Sequence, residues 1–248
     1  TLSSSSAASD VYKRQVIKLG KPFCDILFLE ETLRIGSAVL NSQAAKAALN
    51  AKRGGLEFLT GIPGTIGGGL RMNAGSYGTE FKDILIEAEV MDPGGRLHVI
   101  ASNELGMGYR CCGIDEGWIF LSTLFKAPFS DSIDIKVKMK TIQGQREKSQ
   151  PIKEKTGGST FANPTGYKAW KLIDAAGCRG KHFGAAKVSE KHCNFLINTG
   201  DAKAHDLETL GEFVRERVLD TSGIQLNWEI RRIGTAKKNI PSYSGGKK

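Results

Sequence analysis

Three polar side chains, far apart in the chain, sit in settings that could make them chemical tools. Arg110 closes the tripeptide Gly108-Tyr109-Arg110. A guanidinium is a planar, permanently charged fork that matches a carboxylate. Ser159 lies in Gly157-Gly-Ser-Thr-Phe-Ala-Asn-Pro164. There two glycines free the backbone and Asn163-Pro164 starts a turn, so a loop presents the hydroxyl. Glu229 lies in Trp228-Glu-Ile-Arg-Arg-Ile-Gly234, where Ile224, Leu226, Trp228 and Ile230 alternate with Asn227, Glu229 and Arg231. Each residue also has a plainer reading. Arg110 could serve a surface ion pair, Ser159 could be a turn former, and Glu229 could be an exposed strand carboxylate paired with Arg231. No G-x-S-x-G elbow occurs, so a hydrolase serine is not indicated.

The fourth chemical feature is main chain. The stretch Gly54–Gly78, GGLEFLTGIPGTIGGGLRMNAGSYG, has nine glycines in 25 residues, a density that calls for close backbone approach or positive φ. Pro63-Gly64 predicts a type II turn. Gly67 to Gly69 leave N–H groups unshielded, which suits a phosphate or a flat ring lying on the backbone, and Asn73 adds an amide that donates and accepts. A structural glycine-rich loop or bulged strand would read the same way. The segment is neither a Walker loop nor a Rossmann fingerprint, since it lacks Gly-Lys-Ser/Thr and G-x-G-x-x-G.

IPGTIGGGLRMNAGSYG resembles the flavin-binding segment of the UDP-N-acetylenolpyruvoylglucosamine reductases, flavoenzymes of peptidoglycan precursor synthesis. Gly108-Tyr-Arg110, Gly157–Pro164 and Trp228–Gly234 resemble three further motifs of that family, in the same order. The resemblance implies FAD and NADPH as cofactors and a UDP-sugar as substrate. It also implies a place in cell-wall biogenesis, and hence in cell shape, cell cycle and division. Carried over residue by residue, it makes Ser159 the proton donor to carbon. It makes Arg110 the holder of the enolpyruvyl carboxylate, with Glu229 as its partner at the same group. Gly61, Ile62, Pro63, Gly64, Thr65, Gly67, Gly68, Asn73, Ala74, Gly75 and Tyr77 would hold FAD, and Tyr109 and Asn163 would touch substrate. Position 162, often basic in the family, is Ala162 here, which removes any charged contact from that position. Two alternatives stand beside this reading: another FAD-dependent oxidoreductase of the same architecture, or a fragment without activity.

Length and composition agree with a soluble enzyme. The 248 residues can form two cored domains, and 40% hydrophobic and 25% charged residues are ordinary values. The net charge of +9, from 35 basic and 26 acidic residues, suits anionic small molecules. Basic residues are spread and form no nucleic-acid module, so no nucleic acid is expected. No apolar run has membrane-spanning length, so no membrane partner is expected. Five cysteines, an odd count without C-x-x-C, argue against a disulfide framework or a metal site and for a cytoplasmic protein. A monomer is expected. His192-Cys193 is not a dyad, because adjacent strand residues face opposite ways.

These residues must be positioned by an α+β fold: a partial FAD-binding domain of the wider flavin oxidase type plus a smaller α+β substrate-binding domain. Residues 1–15, TLSSSSAASDVYKRQ, read as a disordered, non-native tail standing where the family carries a first flavin-binding subdomain. Residues 16–148, joined by 223–248, would form the FAD-binding domain, and 149–222 the substrate-binding domain. Strands are predicted at 16–19, 26–29, 33–40, 84–91, 96–100 and 118–124. A further strand is predicted where Ile133, Ile135, Val137 and Met139 alternate with charged residues. Helices are predicted from Asn41 or Ser42 to Lys52, over 167–176 with Gly177 closing it, and over 202–220 with Gly223 ending it. Residues 181–189 and 194–198 read as strands, and Ile224–Ile233 as the closing strand.

Overall fold

The structure, a computed structural model, describes residues 17–234. The expected tail at 1–15, Val16 and residues 235–248 lie outside that range. The chain divides into two compact units between Gln143 and Gly144.

The first unit is built on a five-stranded antiparallel sheet of order β1-β2-β7-β5-β6. Its strands are β1 (Ile26–Phe28), β2 (Thr32–Gly36), β5 (Leu85–Met91), β6 (Leu97–Ala101) and β7 (Ile119–Lys126). Between β2 and β5 run α1 (Asn41–Asn50), α2 (Ile66–Arg71), the small hairpin β3 (Gly75–Ser76) and β4 (Thr79–Glu80), and α3 (Phe81–Ile84). Leu33 and Ile35 of β2 and Ala88 and Val90 of β5 alternate into the core, and Leu85 joins them across a register shift between Leu85 and Glu87, together with Ala44, Ala45 and Ala48 of α1. Phe81 is its centre. The ring is fully buried and stands edge-on to Phe58 and Phe125, with centroids 5.8 and 5.6 Å away. Asn41 begins α1, but Leu40 is its capping position, and the Gln43 side chain accepts from the Leu40 N–H.

Residues 133–139 belong to a helix, α4 (Ser132–Ser149), where a strand was expected. Ile135 and Ile142 are buried and Met139 packs against the first unit's core, whereas Ile133 and Val137 are exposed. The buried set therefore recurs at i, i+4 and i+7, a helical spacing that the period-2 apolar run concealed. The expected strand at 16–19 is also absent from its described residues, 17–19, which lack regular structure.

The second unit carries a four-stranded antiparallel sheet of order β8-β11-β10-β9. Its strands are β8 (Lys155–Ser159), β9 (His182–Phe183), β10 (Ala186–Val188) and β11 (Phe195–Asn198). The single strand expected over 181–189 is thus a hairpin, turned at Gly184 with φ +54°. Helices α5 (Ala169–Ala175) and α6 (Ala204–Ser222) complete the unit. Leu210, Val214 and Val218 of α6 enter the core, and Gly223 ends the helix with φ +70°. The closing strand expected at 224–233 does not form. Only an isolated bridge, Phe161 to Trp228, pairs that stretch. Leu226 and Trp228 pack into the second unit's core, so these residues join that unit, whereas the sequence suggested a return to the first domain.

Candidate functional site

The glycine-rich segment is stitched to the exit of β2. Ile66 N–H donates to Val39 O (2.9 Å), Gly67 N–H to Ser37 O (2.9 Å) and Asn41 N–H to Gly64 O (3.0 Å). Thr65 caps α2, its hydroxyl accepting from the Gly68 N–H at 3.4 Å. The glycines then divide by what a side chain would meet. A Cβ at Gly67 would lie 2.9 Å from Ser37 Cβ, and one at Gly69 2.2 Å from the Phe81 ring. At Gly61 it would meet Ser76 Oγ at 2.7 Å, and at Gly75 Glu80 Cγ at 2.7 Å. These four are glycine because the protein itself is close. Gly64, with φ +101°, and Gly68 are different. Both are exposed, a Cβ at Gly64 would meet nothing within 4 Å, and one at Gly68 would meet only Thr65 Oγ1 at 3.7 Å. Within Pro63–Gly68 only Gly64 and Gly68 thus leave room above the main chain. The N–H groups expected to stand unshielded at Gly67, Gly68 and Gly69 are spent instead on Ser37 O, Thr65 Oγ1 and Thr65 O, so what this surface offers a flat ring is space and not free donors at those three positions. Ile62 and Ala74 are half-buried beside the core, while Tyr77, at φ +51°, is exposed.

Asn73 is spent on the protein. The residue is buried with φ +38°, and its Nδ2 donates to Gly108 O and Glu80 Oε2, both at 3.0 Å. Its Oδ1 accepts from the Lys82 N–H at 3.0 Å. Gly108 opens a tight turn closed by reciprocal main-chain bonds with Cys111, at 3.1 and 3.3 Å. Tyr109 and Arg110 form its tip. Arg110 has φ +55°, a conformation that costs a non-glycine residue about 1–3 kcal/mol. Its guanidinium carbon is 5.5 Å from the Tyr109 ring centroid, and Tyr109 is exposed.

In the second unit Ser159 ends β8, half-buried, one residue after Gly158 with φ +89°. Asn194 clamps the strand that follows. Its carbonyl accepts from Thr160 N–H (2.8 Å), its Oδ1 from Phe161 N–H (3.0 Å), and its Nδ2 donates to Phe161 O (2.8 Å). On the other side Glu229 N–H donates to Thr160 O (2.9 Å) and Ala162 N–H to Asn227 O (2.9 Å). The Glu229 main chain is thus bonded to Thr160, the residue that follows Ser159. Trp228 anchors the Glu229 segment. It packs on Phe161 with centroids 5.0 Å apart, and its indole N–H donates to Glu212 Oε1 at 3.0 Å. Asn163 uses its carbonyl oxygen on the Ala169 N–H at the start of α5. The sequence reading missed Asn194. Its signal, a lone asparagine before an apolar strand, does not announce a clamp reaching back 33 residues.

Elsewhere in that unit Arg179 grips Asp174 with two bonds of 2.8 Å and holds its carboxyl below the usual range. Burial pushes the Cys193 thiol up to about 11 and holds the His192 imidazole below its ordinary value. Among the described residues no group of three or more His, Cys, Asp or Glu could hold a metal, and no helix is long and apolar enough to cross a membrane.

Comparison with known proteins places these features in a family. The family model described as UDP-N-acetylenolpyruvoylglucosamine reductase, C-terminal domain, matches residues 150–233, which include Ser159, Asn163 and Glu229. A model described as FAD binding domain matches residues 2–101. That match holds the glycine-rich segment and also residues 2–15, which the sequence reading had set aside. The UDP-N-acetylenolpyruvoylglucosamine reductase of Paramagnetospirillum magneticum is 56% identical over 219 residues, 88% of this chain and 71% of the relative. That of Parvibaculum lavamentivorans is 52% identical over 223 residues, 90% and 72% of the two chains. The crystal structure of the reductase from Thermus caldophilus aligns with a TM-score of 0.71 at 35% identity, covering 79% of this chain and 71% of that one.

Proposed function

The chain belongs to the UDP-N-acetylenolpyruvoylglucosamine reductase family, FAD-dependent oxidoreductases of peptidoglycan synthesis, and from that premise we propose that it reduces UDP-N-acetylglucosamine enolpyruvate to UDP-N-acetylmuramate with NADPH. The open surface over Gly64 and Gly68, with Pro63, Thr65 and Gly67 between and beside them and flanked by Gly61, Ile62, Ala74, Gly75 and Tyr77, would hold FAD. When bound, that cofactor carries a hydride from the nicotinamide to the terminal alkene carbon of the substrate.

The chain's own residues handle charge and the proton. Arg110 would bind the enolpyruvyl carboxylate as a fork and hold the negative charge that grows on it as hydride arrives. Tyr109, beside it at the tip of the turn, would flank the same group. Ser159 would give its hydroxyl proton to the carbon bearing the ether oxygen and recover one from solvent afterwards. Glu229 would sit at the enolpyruvyl group with Arg110 and assist delivery of that proton. Asn163, its oxygen taken by the Ala169 N–H, would touch the substrate from the start of α5. Both small-molecule partners are anionic, which suits the net charge of +9. The reading carries with it a cytoplasmic, monomeric enzyme.

The observation that carries the assignment is the bond from Glu229 N–H to Thr160 O. It fixes a carboxylate-bearing residue beside the strand end that presents Ser159. Ser159→Ala tests the roles. The variant should keep its yellow colour and bleach with NADPH as the parent chain does, yet fail to regain colour when the enolpyruvyl sugar is added. If both steps fall together, or neither does, Ser159 is not the proton donor.

A further inference from the structure

We propose that Asn73 is a positioning residue for Arg110, setting the geometry of the arginine turn through the Gly108 carbonyl. The inference rests on the reductase reading only for the identity of the carboxylate that Arg110 meets. Three observations carry it. The Asn73 amide is buried, and both its N–H donors are committed, one of them to Gly108 O across 35 residues of sequence. Gly108 is the first residue of the four-residue turn that holds Arg110 at φ +55°, a conformation the arginine would leave without outside restraint. The other two partners of the amide are themselves fixed. Glu80 pairs with Lys82 at 3.0 Å, and the Lys82 N–H that donates to Oδ1 lies in the first turn of α3. Asn73 thus links the end of α2, the start of α3 and the arginine turn. The same side chain that closes the glycine-rich segment decides where the guanidinium stands.

The test uses two variants that keep the backbone at φ +38°, since glycine and aspartate both tolerate it. Asn73→Gly removes the amide. Asn73→Asp keeps its volume and its acceptor but has no N–H for Gly108. In both, flavin content and the rate of bleaching by NADPH should stay within about twofold of the parent chain. The KM for the enolpyruvyl sugar should rise about tenfold or more, the order expected for the Gly108 bond alone although both variants also lose the bond to Glu80, with kcat less affected. In an Arg110→Ala background the same Asn73 changes should add almost nothing. Loss of flavin in either variant would overturn the proposal, as would an Asn73→Asp chain of normal KM. Equal effects with and without Arg110 would also overturn it. The two readings fail separately. An Arg110→Ala chain of unchanged KM sinks the role given to Arg110. A raised KM there, with normal KM in both Asn73 variants, sinks only the positioning.

Discussion

Two neighbouring glycines should respond to the same substitution in opposite ways. In Gly69→Ala the new methyl would lie 2.2 Å from Phe81 Cζ and 2.5 Å from Cε2, against about 3.5–4.0 Å for carbon atoms in contact. The ring cannot retreat, since Phe58 and Phe125 box it in on both sides. Overpacking of this kind costs about 1–3 kcal/mol, and here the upper end applies because α2 or the ring must shift by roughly an ångström. Alanine's helical preference returns about 1 kcal/mol, leaving a net loss of about 2 kcal/mol. That corresponds to a fall of roughly 6–10 °C in the melting temperature of the first unit. In Gly68→Ala the methyl meets only Thr65 Oγ1, at an ordinary 3.7 Å. Stability should hold or rise by up to about 1 kcal/mol. The methyl would instead stand on the bare floor proposed for FAD, so the visible flavin absorbance retained on purification should fall at least about tenfold. Circular-dichroism melts and absorbance spectra of the two variants decide it. A Gly69→Ala chain as stable as its parent would refute the close-packing argument. A Gly68→Ala chain that keeps its flavin would refute the floor.

Gly211→Ala should destabilise the second unit by about 2 kcal/mol, because its methyl would fall 2.0 Å from Trp228 Cη2. Urea melts would show it as a lowered midpoint, with slower substrate turnover in the folded fraction as the Glu229 segment shifts. In the folded chain at pH 8, Cys24 and Cys111, both exposed, should react quickly with an aromatic disulfide reagent. Cys178 and Cys193 should react only after unfolding, since burial raises both thiols, Cys193 to about 11. Asp174 is held below its unfolded pKa by Arg179, so its contribution is present at neutral pH and is lost as pH falls through the lowered value. Asp174→Asn should therefore flatten the loss of stability on going from about pH 5 to pH 2, measured by urea melts at each pH.

What the sequence made legible was local. The α6 helix has apolar residues at helical spacing and a glycine placed to end it, two signals within a few residues of each other, and both appear in the structure. Pro63-Gly64 likewise predicted a turn with positive φ, and Gly64 has it. The failures share a different cause. Over 133–139 two periods fit the same letters, and only the burial of Ile135 and Ile142 separates helix from strand. Over 224–233 the alternation is real, since Leu226 is fully buried, but the stretch finds no partner strand and packs side chains against α6. A strand is a property of two segments, and one segment's pattern cannot supply the second.

The candidate site repeats that division at finer scale. Glycine density marks Gly54–Gly78 as backbone that something must approach, yet it does not say what approaches. At Gly61, Gly67, Gly69 and Gly75 the answer is the protein, whereas Gly64, Gly68 and Gly78 are exposed and leave space. Sequence similarity cannot separate the two groups, because both forbid a side chain equally. The same holds for asparagine. Asn73 and Asn194 are buried amides, each with a main-chain partner 35 and 33 residues away respectively, and each spends a donor on main chain that carries a candidate residue. Substitution tells such a clamp from a ligand contact by a different signature. Loss of a ligand contact should survive in every background, whereas loss of a clamp should vanish once the side chain it aims has been removed.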